Sequence, residues 1–172
     1  MGALPATEES VLNDPTLRGD DAQPVTDTAA STRTSDLAEI RNVQDRLAFA
    51  TDAGDWQTFL ACFVDGATGD YGALGSGPIG AIVDAIAESQ GRYLGTMNFV
   101  GTHEADWNVD HALARTYVIS HHFRAEGESQ ADDHVGTRYA DRLVKQDGLW
   151  KVVHREARVL WFRQDVVHGG WI

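Results

Sequence analysis

Lysine is nearly absent from this chain of 172 residues. Lys145 and Lys151 are its only two, and 26 acidic residues against 14 basic ones leave a net charge of −12. Phosphate backbones and anionic headgroups are held by Lys/Arg patches, so the balance excludes nucleic acid and anionic membrane surfaces as expected partners. Cysteine occurs once, at Cys62, which rules out an internal disulfide. Lying in an apolar helical pattern, it reads as a core residue, and a cytoplasmic location fits. No apolar run approaches the roughly 20 residues needed to span a bilayer. The first 34 residues lack a basic start followed by an apolar stretch, so they do not read as a signal peptide. Metal-binding spacings are missing as well. The adjacent pair His121-His122 would alternate across a strand, and no His-x-His, His-Glu-x-x-His or Cys-x-x-Cys occurs. Gly72, Gly75 and Gly77 lack the lysine and the preceding strand of a phosphate loop. Neither a metal nor a cofactor is expected.

What the chain does contain is enough for one globular domain: 42% hydrophobic and 23% charged residues. Three of the four prolines, Pro5, Pro15 and Pro24, fall in an aromatic-free segment, 1–34, rich in Asp, Thr and Ala. Such a segment buries too little apolar area to offset its ordering entropy, so residues 1–34 are expected to form a disordered acidic tail before a domain over 35–172.

Helical periodicity begins at Ser35. Ser35 or Asp36 suits an N-cap, with Glu39 three residues after Asp36, and Leu37, Ile40, Val43 and Leu47 recur at helical spacing until Gly54. A short second helix carries Trp56, Phe59, Leu60 and Phe63 on its buried side. Thr68–Tyr71 reads as a strand. After a glycine-rich loop, Pro78 suits the first turn of a third helix, striped by Ile79, Ile82, Val83 and Ile86. From Thr96 the period becomes two. Strands are expected near 97–109, 112–126, 132–145 and 149–164, punctuated by turns at Asp110-His111, Glu126-Gly127-Glu128 and Gln146-Asp147-Gly148. Helices followed by long antiparallel strands make an α+β fold.

Two stretches, 46–63 and 139–155, together with this element order, resemble the SnoaL-like branch of the nuclear transport factor 2-like superfamily, and within it the scytalone dehydratase and hexachlorocyclohexane dehydrochlorinase type. The likeness covers about residues 36–165. It implies a cone-shaped half-barrel, a curved, mostly antiparallel sheet wrapped around the N-terminal helices. Those relatives are cofactor-free lyases in which an Asp at the end of the first helix works with a His before the first long strand. The Asp position is Asp52 here. The His position holds Asn98, which cannot shuttle a proton near neutral pH.

Only one face of each strand can look into the cone. Matching the related lyases turns Val118, Ser120, His122 and Arg124 inward, and leaves Tyr117, Ile119, His121 and Phe123 outside. His122 then becomes a replacement base and Arg124 a charge partner or oxyanion clamp. Asp52, a carboxylate in an apolar hollow, is the other candidate base. Val135, Thr137, Tyr139 and Asp141 share a face, and the Tyr139 hydroxyl could donate to a substrate oxygen. Arg155, Ala157, Val159 and Trp161 are expected inward, and a buried Arg155 requires an anion, Asp52 or Asp141. Val118, Ser120, Thr137, Arg155, Val159 and Trp161 would line the substrate together with Asn98.

The function these residues imply is acid–base lyase chemistry, such as loss of water, or isomerisation of a small, mostly apolar, ring-containing hydroxylated molecule. Two alternatives stand beside it: a non-catalytic ligand-binding or assembly domain, and the small structural subunit of a ring-hydroxylating oxygenase. An open cone with an ionisable cluster favours the enzyme, whereas a cone filled by Trp161 and Phe99 favours assembly. The apolar outer face, with Tyr117, Ile119 and Phe123, implies a homodimer or homotrimer.

Overall fold

A computed structural model describes residues 27–107, 111–124 and 131–165. The chain divides after Thr34 into two units. Of the first, only residues 27–34 are described, and they are helical. Residues 1–26 of the tail expected over 1–34, and the turns at Asp110 and Glu126-Gly127-Glu128, lie outside the described residues.

Helix α1 spans Asp27–Ala53. It starts well before Ser35, so the expected N-cap and capping box do not form. Ala29 and Ala30 are strong helix formers that carry the helix upstream. Asp36 instead reaches across the domain, accepting hydrogen bonds from Lys145 Nζ at 2.7 Å and Trp150 Nε1 at 3.0 Å. The buried face of α1 is Ile40, Val43, Gln44, Leu47 and Ala50, while Leu37 is 40% exposed. Gly54 ends the helix at φ +64°, and Asp55 caps α2 (Trp56–Ala61) by accepting from the Thr58 N–H.

Strand β1 runs Phe63–Asp70, longer than expected, because Phe63 pairs in parallel with Val152. Phe63 is therefore a strand residue, and Leu60, expected to be buried, is 38% exposed on the short α2. A 3-10 turn at Gly72–Leu74 and strand β2 (Ser76–Pro78) precede α3 (Ile79–Gln90), whose Ile79, Ile82, Val83 and Ile86 are buried. Strands β3 (Gly95–Trp107), β4 (Ala112–Phe123), β5 (Asp132–Gln146) and β6 (Leu149–Asp165) complete one open sheet, in the order β2-β1-β6-β5-β4-β3. Every pairing is antiparallel except β1 with β6. This is the α+β architecture expected, with the sheet left open.

β4 alternates buried and exposed residues from Ala112 to Ser120, as a sheet covered on one face must. The core joins that face to α1, α3 and Phe59. β6 does not keep one parity. Its register slips opposite Arg142/Leu143, leaving Val153 unpaired, and again opposite Gly136/Thr137, leaving Leu160 unpaired. Each bulge exchanges the faces of the residues beyond it. Val152 faces the core, then Arg155, Ala157 and Val159 face inward, and after Leu160 the inward residue is Phe162. Trp161, expected inward, lies on the outer face for this reason. Its indole covers Gly136, where an added Cβ would come within 2.1 Å of Nε1.

Candidate functional site

Between α1, α3 and the covered sheet face is a cavity of about 320 Å³. Its apolar wall includes Leu47, Phe59, Ile86, Val118, Val135 and Phe162. Two polar clusters interrupt that wall.

The first is closed on itself. Arg155 Nε and one terminal nitrogen bind the two oxygens of Asp141 at 2.7 and 2.8 Å. Gln44 donates to Asp141 Oδ2 at 2.9 Å and accepts from the same guanidinium. The side chains of Arg155 and Asp141 are 4% and 0% exposed. Burial by itself would pull the Arg155 pKa down, but Asp141 more than offsets it, so the guanidinium is held charged. Asp141, not Asp52, is thus its counter-ion. The guanidinium also lies 4.6 Å over the Tyr139 ring, and Tyr71 packs 6.1 Å from that ring. Burial raises the pKa of both phenols, which keeps them as donors. The Tyr71 hydroxyl is buried without a hydrogen bond of regular geometry among the described residues, although Arg155 is near enough to oppose the upward push of burial.

The second cluster surrounds His122. Asp133, its cross-strand partner, accepts from the Tyr93 hydroxyl at 2.5 Å, from Arg124 at 3.1 Å and from Gln164 at 2.7 Å. Burial tends to raise the Asp133 pKa, yet these donors carry it below the usual carboxylate range. Arg124 does not line the cavity. Its guanidinium is engaged by Asp133 and the Ala131 carbonyl, and lies 4.6 Å over the Tyr93 ring. The His122 ring packs tilted by 32° against Tyr93, with ring centroids 4.8 Å apart. Burial lowers the His122 pKa against the opposing pull of Asp133 and Asp52, so the imidazole is neutral at neutral pH. Its Nδ1 is buried with no partner among the described residues.

Asp52 stands behind the wall rather than in it. It accepts from the Asn98 N–H at 3.0 and 3.1 Å and from Asn98 Nδ2 at 2.6 Å. The reason is topological: among the described residues β3 is an edge strand, so the Asn98 N–H has no further strand to pair with there and recruits a carboxylate. Asn98 Oδ1 in turn accepts from the Ser120 hydroxyl at 2.5 Å. Asp52, Asn98 and Ser120 form a fixed chain, and an amide at its centre passes no proton.

The structure thus places Asn98, Val118, Ser120, His122, Thr137, Tyr139, Arg155 and Val159 in the cavity wall, with Asp52 and Arg124 one layer behind and Trp161 outside. Sequence reasoning passed over Asp133, Tyr93, Gln44, Tyr71 and Phe162. The parity of Val135 and Thr137 extends to Asp133, and Gln44 interrupts the apolar stripe of α1, so both carried a signal. Tyr93 sits in an irregular connection and carried none. Among the described residues no group of three ligating side chains is arranged to hold a metal.

A model of the SnoaL-like domain matches residues 32–156. No protein of curated function matches the sequence. Among solved structures, a candidate scytalone dehydratase from Novosphingobium aromaticivorans superposes with TM-score 0.70 at 20% identity, over 81% of this chain and 93% of that one. The hexachlorocyclohexane dehydrochlorinase LinA type 3 from Novosphingobium barchaimii gives 0.71 at 17% identity, over 83% and 99%. A candidate aromatic ring hydroxylase from N. aromaticivorans gives 0.67 at 18% identity, over 77% and 94%. At these identities the likeness is one of fold.

Proposed function

Because this chain belongs to the SnoaL-like domain family, with the cone fold of the nuclear transport factor 2-like superfamily, we propose that its cavity is an acid–base active site that eliminates a small group, most simply water, from a mostly apolar, ring-containing hydroxylated substrate. The observation that carries this reading is His122: an imidazole in the cavity wall that burial holds neutral, with Asp133 and Asp52 near enough to oppose that shift. A base must be unprotonated and within reach of the proton it takes.

In the proposed step the imidazole removes a proton from carbon, the electron pair forms the new double bond, and the C–O bond breaks. The imidazolium returns its proton to the departing oxygen, so water leaves and the base is restored. Negative charge developing on a substrate oxygen is met by the phenol of Tyr139, which burial keeps protonated. Asn98 offers its amide from the wall, oriented by Asp52 and Ser120. Proton abstraction without departure would give an isomerase with the same parts.

The assembly reading is disfavoured because the cone is open, with Phe99 and Trp161 outside it. The oxygenase-subunit reading has in its favour the fold likeness to the candidate ring hydroxylase, and co-purification with an iron-containing large subunit would establish it. We place the catalytic domain at residues 35–172, and its outer sheet face against further copies of the chain as a homodimer or homotrimer.

Thermal-shift and turnover screens with hydroxylated aromatic and polyketide-like compounds test the proposal. The parent should convert at least one stabilising compound, and His122→Ala should lose about 10²–10⁴-fold in rate, the usual contribution of a general base. Turnover that persists unchanged in His122→Ala sinks the assignment, and binding without any turnover favours the ligand-cradle alternative.

A further inference from the structure

We infer that Asp133 and Tyr93 are positioning residues for His122: the Asp133 carboxylate anchors the Tyr93 ring, and the anchored ring holds the imidazole in the plane from which it reaches the substrate. The inference rests on the reading of His122 as the base.

Three separate segments converge on Asp133. Tyr93 comes from the connection after α3, Arg124 from the end of β4, and Gln164 from β6 beyond its second bulge. Oδ2 takes Tyr93 and Arg124, and Oδ1 takes Gln164. A carboxylate in a cavity wall would ordinarily be available to a ligand, whereas this one is occupied by its own protein. What its engagement fixes is Tyr93, which otherwise stands in irregular chain beside the cavity. The Tyr93 ring is in contact with both neighbours, the His122 imidazole at 4.8 Å and the Arg124 guanidinium at 4.6 Å. Arg124 and His122 thus both rest on a Tyr93 ring that is tied down by one short hydrogen bond.

The anchor also bears on charge. The groups that act on His122 are Asp133 from β5 and Asp52 from α1, which favour its protonation, and His121 from its own strand and His134 from β5, which oppose it together with burial. Asp133 is the leading favourable influence, and it also neutralises Arg124. It therefore limits how far burial depresses the imidazole and keeps a proton on the ring affordable during turnover.

Imidazole NMR of the full chain, titrated without substrate, tests this. In Asp133→Asn the His122 midpoint should move to lower pH. In Tyr93→Leu the His122 ring protons should lose the aromatic shift, and kcat on any converted substrate should fall roughly tenfold to a hundredfold with KM little changed, as for a misplaced base. Tyr93→Phe keeps the ring but not the anchor, so the His122 ring signals should shift and broaden. The inference is overturned if the His122 midpoint and ring shifts in Asp133→Asn and Tyr93→Leu equal the parent's while the backbone spectrum stays native. Should Asp133→Asn fail to fold, Tyr93→Phe decides alone, and ring signals identical to the parent's overturn it. These spectra need no turnover, so a failure of the lyase reading, seen in His122→Ala, is distinguishable from a failure of this one.

Discussion

Arg155 shows how one residue can belong to both the core and the site. Its charge is acceptable because Asp141 and Gln44 accept from its Nε and one terminal nitrogen where the side chain is almost fully buried. Removing one partner of such a pair leaves the other buried and uncompensated, at a cost of about 3–5 kcal/mol. Arg155→Ala should therefore lose about that much in urea unfolding, and Arg155→Lys should not restore it, since an ammonium lacks the planar two-pronged geometry. The histidines set the acid limit. His103, whose Nδ1 is shared with Thr116 and whose Nε2 is buried without a partner among the described residues, has its pKa lowered first by burial and then by Arg41, and His122 is lowered by burial. The unfolded chain, with His near pKa 6.5, binds more protons than the folded one just below that value. The stability they contribute is thus complete above about pH 6.5 and is lost as pH falls toward the depressed folded values. Unfolding free energy should drop from pH 7 to pH 5, with a shallower slope in His103→Gln.

At the scale of elements, β6 decides the site. Its bulges at Val153 and Leu160 turn Arg155, Ala157 and Val159 inward and then hand the inward position to Phe162 and Gln164. The inward parity of the middle segment is readable from the odd-numbered alternation, but the slip at Leu160 is not, because nothing in Val159-Leu160-Trp161-Phe162 marks one apolar residue as unpaired. Gly136 is the other half of this device, its missing side chain leaving room for the Trp161 indole. Gly136→Val should drive Trp161 away from the sheet. Its fluorescence should shift to the red while ligand binding in the cavity is unchanged, since the two lie on opposite faces. A blue shift, or loss of binding, would contradict the assignment of faces.

For the molecule as a whole, the outer sheet face carries a row across four strands, Phe99, Ile119, Gly136 and Trp161, that is largely exposed apolar surface. Covering such a row in a second copy fits the proposed homodimer or homotrimer. Two chains each carrying −12 repel one another, and salt screens that repulsion. Sedimentation velocity should show association strengthening with salt, and Ile119→Asp should shift the protein to monomer. Association indifferent to Ile119→Asp would place the contact elsewhere.

The one-dimensional pattern settled what depends on local periodicity: helices before Gln90, period-two strands after Thr96, which residues of β4 and of most of β5 share a face, and the demand that a buried Arg155 find an anion; which face of β4 turns inward was what the family resemblance implied. It also settled that a proton could not be passed at Asn98, because that is a property of the amide itself. Only the assembled fold decided which anion, since Asp52 and Asp141 are both inward-capable by pattern and the edge position of β3 drew Asp52 to the Asn98 N–H. The same holds for Tyr93 and Asp133 beside His122. Their meeting spans three elements, and hydrogen bonds between residues far apart in sequence leave no periodic trace along it.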